Sequence, residues 1–177
     1  TLNVFGQSGI IRFSNGGQPD PNRIWVNDTG VVGEGVRAAG SAYKIAVFWG
    51  NQGTAEAGLV QVGNPGFFLT GTASGQFETG NRTVTPTTEN GAVVTVQARA
   101  WGTIAGVPDT YEAGVAAGLA GDTRAQVGSG PVFDVKSKDP TDATEVANPI
   151  GSSPGWRGFS ITPVPEPSVI VFGLLGV

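Results

Sequence analysis

Val94-Thr95-Val96-Gln97-Ala98-Arg99-Ala100-Trp101 alternates small apolar side chains with larger, mostly polar ones. A period of two is the period of a β-strand, whose successive side chains leave on opposite faces. Val94, Val96, Ala98 and Ala100 are therefore expected against a core, and Thr95, Gln97, Arg99 and Trp101 towards water or a neighbour. Tyr43-Lys44-Ile45-Ala46-Val47-Phe48-Trp49 differs, because its almost continuous apolar run predicts a strand buried on both faces, near the centre of a sheet.

Shorter extended patterns surround these two. They are residues 1–5, Ile10-Ile11-Arg12-Phe13, Arg23-Ile24-Trp25-Val26, Gln76-Phe77-Glu78, Pro131-Val132-Phe133-Asp134-Val135 and Trp156-Arg157-Gly158-Phe159-Ser160-Ile161. Leu59-Val60-Gln61-Val62 and Phe67-Phe68-Leu69-Thr70 flank an expected turn at Gly63-Asn64-Pro65-Gly66, and a further turn is expected at Gly80-Asn81. Many short strands punctuated by glycine predict an all-β fold, here an antiparallel β-sandwich of jelly-roll or immunoglobulin-like type. One short helix is expected after Asp109-Thr110-Tyr111-Glu112, which has the form of a capping box with Asp109 at the cap. Residues 136–154 are polar and proline-broken, and predict a long surface excursion.

The chain has 177 residues, which fits one domain, and it carries a net charge of −4 with only 14% charged residues. That balance offers no basic footprint for nucleic acid. With no Cys there are no disulfides, thiolate metal sites or cysteine nucleophiles. With no His the usual general base and the commonest metal ligand are missing as well. No catalytic residue, cofactor or enzymatic activity is expected. There is no Met, so Thr1 is not a translation start, and a cleaved secretory signal upstream of it is expected.

The last segment does not read as part of a closed domain. Pro163, Pro165 and Pro167 make a stiff, extended spacer, expected to leave the body rather than pack on it. Behind it, Val169-Ile170-Val171-Phe172-Gly173-Leu174-Leu175-Gly176-Val177 is apolar but well short of the roughly 20 residues a spanning helix needs. The division expected is a sandwich domain over 1–162, a spacer over 163–168 and an apolar tail over 169–177.

Val164-Pro165-Glu166-Pro167-Ser168 followed by this stretch resembles the PEP-CTERM sorting signal of secreted bacterial proteins. In that family the tripeptide precedes a transmembrane helix and a short arginine cluster, and the membrane enzyme exosortase processes the protein there. The resemblance implies that Pro165, Glu166 and Pro167 are the sorting motif, that an exosortase-type enzyme is a partner during export, and that membrane contact is at most transient. It implies a secreted protein, extracellular or at the cell surface. The sequence departs from the pattern in ending at Val177, with about half a membrane helix and no basic cluster. The body is similar to uncharacterised β-rich PEP-CTERM proteins over residues 96–101, Tyr111-Glu112-Ala113 and Val132-Phe133, which indicates kinship and no chemistry.

Other constellations are weaker. Asp134, Asp139, Asp142 and Glu145 offer oxygen ligands for a calcium ion, but in no recognised loop spacing, and a solvated acidic loop is the favoured reading. Glu78 with Glu89 or Glu112 has no feature that selects it as a glycosidase pair. Trp25, Trp49, Trp101 and Trp156 are expected to pack internally rather than to stack on sugars. Asn27-Asp28-Thr29 and Asn81-Arg82-Thr83 fit the glycosylation acceptor pattern, and glycine-rich residues 30–35 lack the lysine of a phosphate loop.

The function expected is that of a structural subunit of an extracellular filament or matrix, with copies of itself as partner. It would polymerise by donating the apolar strand, through Val169, Ile170, Val171, Phe172, Leu174, Leu175 and Val177, to an open sheet edge of its neighbour. That edge is expected near residues 2–5 or 10–13. The alternative is a tail-anchored surface adhesin or carbohydrate-binding module.

Overall fold

The computed structural model describes residues 7–86 and 89–165. Strand β1 (Gly9–Ser14) comes first, followed by two short strands, β2 (Trp25–Val26) and β3 (Val36–Arg37). Longer strands β4 (Gly40–Asn51), β5 (Val60–Phe68), β6 (Glu78–Val84) and β7 (Val93–Gly102) lead to the helix α1 (Tyr111–Leu119). The chain closes with β8 (Gln126–Ser129), β9 (Phe133–Lys136) and β10 (Ser160–Pro163). The large sheet runs β3-β2-β10-β8-β7-β4-β5, with β9 also paired to β7, and β1 with β6 forms a small second sheet. The fold is all-β and sandwich-like, with one short α-helix among the described residues, as expected. Every strand ladder is antiparallel except that between β10 and β2, which is parallel.

The core lies between the two sheets. Val94, Val96, Ala98 and Ala100 of β7 point into it with Ile45 and Val47 of β4, meeting Ile11 and Phe13 of β1 and Val84 of β6. Phe77 ties its aromatic part together, 4.5 Å from Phe13 and 5.8 Å from Trp156 between ring centroids.

The opposite face of β7, expected to meet water or a neighbour, is covered by neighbours. Thr95, Gln97 and Trp101 are buried, and a second cluster unites Trp101 with Ala46 and Phe48 of β4, Leu59, and Tyr111 of α1. The molecule thus has a third layer on the outside of the large sheet, made by α1 and the 3-10 turn Glu56–Gly58. Gly114 and Gly118 form the buried side of α1, whose lack of side chains allows the close approach. The expected double burial of β4 has the same cause, since Ile45 and Val47 face the core while Ala46 and Phe48 face the outer layer.

Three local expectations change. Residues 63–66 are not a turn: β5 continues through them as a bulge, with two extra residues between the pairs Ile45 with Gly66 and Val47 with Val62. Gly80-Asn81 likewise lies inside β6, where Asn81 pairs with Arg12. The helix cap is Thr110 rather than Asp109: its hydroxyl accepts the Ala113 N–H at 3.2 Å. Asp109 instead holds Lys44 and accepts from Trp101 Nε1 at 2.9 Å.

The start of the spacer is docked. Pro163 pairs with Gln126 of β8, and the Val164 N–H donates to the Ala125 carbonyl at 3.1 Å. Only at Pro165 is the chain exposed. Among the described residues no helix is long and apolar enough to cross a membrane.

Candidate interaction surface

Glu166 and Pro167 of the expected sorting motif and all the expected interaction residues, Val169, Ile170, Val171, Phe172, Leu174, Leu175 and Val177, lie outside the described residues, as does the expected strand over 1–5. Pro165 is the last residue described, exposed at the end of β10. The part of the expected acceptor edge over residues 10–13 is occupied. On one side β1 pairs with β6; on the other Ile10 bridges Lys138 and Arg12 bridges Pro149.

The carboxylates do not converge on a reaction centre. Thr95 Oγ1 donates to Asp134 Oδ1 (2.6 Å) and Gln52 Nε2 to Asp134 Oδ2 (3.2 Å). The Asp139 carboxylate accepts from the N–H and hydroxyl of Thr141, and that of Asp142 from Thr144 in the same way. These bonds hold both aspartates below the ordinary carboxylate range. Glu145 accepts the Asp139 N–H at 2.8 Å. Asp139, Asp142 and Glu145 are thus spent on their own loop and Asp134 on Thr95 and Gln52, and among the described residues no group of acids is arranged to hold a metal ion.

Glu78 is paired with Arg12 (3.2 Å) and accepts from the Ser14 hydroxyl (2.6 Å). Burial works to raise its pKa, but these partners outweigh burial and lower it. At Asp109 burial is likewise outweighed, by Lys44 and the Trp101 indole. Glu112 faces Arg99 at 3.7 Å.

Trp25, Trp101 and Trp156 are buried, and Trp49 is partly buried and packs against the core. The amide of Asn27 is fully engaged, donating to Val31 O (2.8 Å), Glu34 O (3.0 Å) and Ser160 Oγ (3.1 Å). That nitrogen is not free as a glycan acceptor.

What remains is surface shape. β5 forms one end of the large sheet, with Val60 and Phe67 exposed, but its edge is blunted by Pro65 and by Arg82, which donates to Asn64 O at 2.9 Å. β9 is different. It is paired with β7 alone, and a groove of about 420 Å³ separates it from Asn148, Ser152, Ser153 and Pro154. Sequence reasoning read residues 131–135 as a strand but had no signal for this opening, because the opposite wall is an irregular segment. No family model, curated protein or solved structure matches this chain.

Proposed function

We propose that the chain is a non-catalytic structural subunit of an extracellular filament or matrix, sorted through Pro165, Glu166 and Pro167 and polymerised by donation of residues 169–177 to a neighbouring copy. The observation that carries this reading is the setting of the tail: an apolar, β-branched stretch follows a proline spacer whose first residues are clamped to β8 and Ala125, so it departs from a fixed point at the end of a sheet strand. Left in water, such a stretch is an aggregation-prone strand. Extended over roughly 30 Å, it supplies main-chain hydrogen bonds and alternate side chains to an open edge. Head-to-tail donation is a heterologous contact, which propagates unless its rotation closes a ring. The missing His and Cys are consistent with a role that needs no turnover.

The test is removal of residues 168–177. The shortened protein is expected to fold and stay monomeric in electron micrographs and sedimentation, while the full chain forms regular fibres, and adding the tail back as a peptide restores a bound strand. Fibres that form equally well without these residues overturn the proposal.

A further inference from the structure

We infer that the acceptor for the donated strand is the slot beside β9, and that its occupant is Val169-Ile170-Val171-Phe172 of a second copy. This rests on the strand-donation reading and adds the place where the strand binds.

β8 and β9 lie end to end along the same side of β7. β8 pairs with Arg99, Ala100 and Trp101, and β9 with residues 93–96. Between the pairs Arg99 with Ser129 and Val96 with Phe133, β7 advances three residues and its partner four, so one bulge separates two halves of a single row. β10 covers the outer edge of the β8 half, pairing Thr162 with Val127 and Pro163 with Gln126. Carried on in register, the residues before β10 would cover β9 too. They turn away instead, with Trp156 buried in the core and Ile150–Ser152 coiled as a 3-10 turn, and the groove is the space they vacate.

The main chain of β9 is set to use that space. Ser137 N donates to Ala92 O, which continues the β9 register by one residue. Because hydrogen-bonded and non-bonded pairs alternate in an antiparallel ladder, Val135 and Phe133 direct their backbone groups to β7. Asp134 and Lys136 direct theirs the other way, into the groove. β9 is four residues long, with Asp134, Val135 and Lys136 lining the groove, and the tail begins with four β-branched or aromatic residues before Gly173. Alternate side chains of the incoming strand would lie beside buried Val135 and beside exposed Asp134 and Lys136.

The donor is a second copy because of direction. β10 is antiparallel to β8 and ends opposite Gln126, the end of the row farthest from β9, so the described chain finishes at the end of the row away from its own slot. Donor and acceptor therefore sit at opposite ends of one row of the sheet, the arrangement that repeats head to tail.

The absence of native cysteine makes the test direct. In the full chain, Lys136→Cys is combined in turn with Val169→Cys, Ile170→Cys and Val171→Cys, and the assemblies are oxidised and run without reductant. A ladder of multimers is expected from at least one pair and nothing beyond dimers from any single variant, since directly opposed strand residues are close enough for a disulfide. Lys136→Pro, which removes an outward N–H together with the Lys136–Glu145 ion pair (3.7 Å), is expected to raise the concentration needed for assembly about tenfold or more while far-UV circular dichroism is unchanged, and Lys136→Ala, which breaks the same ion pair, is expected to leave it as it was. Tail-dependent fibres with no ladder through Lys136, or with one through Val60→Cys on β5 instead, overturn the slot and leave strand donation standing. Fibres indifferent to loss of the tail overturn both.

Discussion

The Arg99 guanidinium lies 4.1 Å from the centroid of the Phe48 ring, on the outer face of the large sheet, and 5.4 Å from that of Tyr111. A charged side chain from the middle of β7 is thereby held among aromatic rings beneath the outer layer. Its polar atoms are satisfied there: Nε donates to Gln97 Oε1 (2.7 Å) and Nη2 to the Glu56 carbonyl (2.9 Å). Gln97 in turn donates to Glu56 Oε1 (2.7 Å) and Gly130 O (3.0 Å). Arg99 thus joins β7, the 3-10 turn and α1.

Arg99→Ala is expected to cost about 2–4 kcal/mol, from a desolvated cation–π contact together with charge-assisted hydrogen bonds that leave Gln97 with a lost partner. Equilibrium urea unfolding measures it. A loss under about 0.5 kcal/mol would mean that the outer layer does not depend on this residue.

Phe48→Ala removes a ring that is 3% exposed and should cost about 3–5 kcal/mol. Because Phe48 packs in the outer cluster, the loss should also loosen α1, detected as faster hydrogen exchange over residues 111–119 than in the parent protein.

Acid should destabilise the protein in part through Glu78. Its folded pKa lies below the ordinary 4.5, so the stability it contributes is fully present above about that pH and is lost as pH falls through the lower folded value. Glu78→Gln is therefore expected to flatten the acid limb of a plot of unfolding midpoint against pH, with the variant and parent converging at the acid end. Parallel curves would rule Glu78 out as a contributor.

Calcium and chelators are expected to leave the thermal midpoint unchanged, because Asp139, Asp142 and Glu145 satisfy their own loop. A midpoint that rises with calcium concentration, as mass action requires of any ligand of the native state, would contradict this.

The all-β class was legible because alternation in β7 and the apolar run in β4 are direct imprints of pleated backbone. The outer layer was not, because Gln97 and Arg99 read as solvent-facing polar residues; only the distant partners Glu56, Phe48 and Tyr111 make their burial favourable. Gly63 and Pro65 read as turn residues for a sound local reason, with Gly63 at φ +68°, yet pairing with β4 on both sides carries the strand through them as a bulge. β8 was missed because Gln-Val-Gly-Ser has no apolar pattern, its place being set by β7 and β10. The candidate slot was least legible of all, since it is defined by where Trp156 and Pro154 do not run.

The position of β10 has a kinetic consequence. It is the strand that joins β2 to β8, so the beginning of the chain meets the body of the large sheet through residues 160 and 161. Closing a loop of that length is entropically costly and slow. Until residues 160–163 have been made, β2 and β3 lack the ladder that unites them with β8, β7, β4 and β5 in one sheet, although β1 already has β6 to pair with. Completion of the large sheet therefore awaits synthesis of β10.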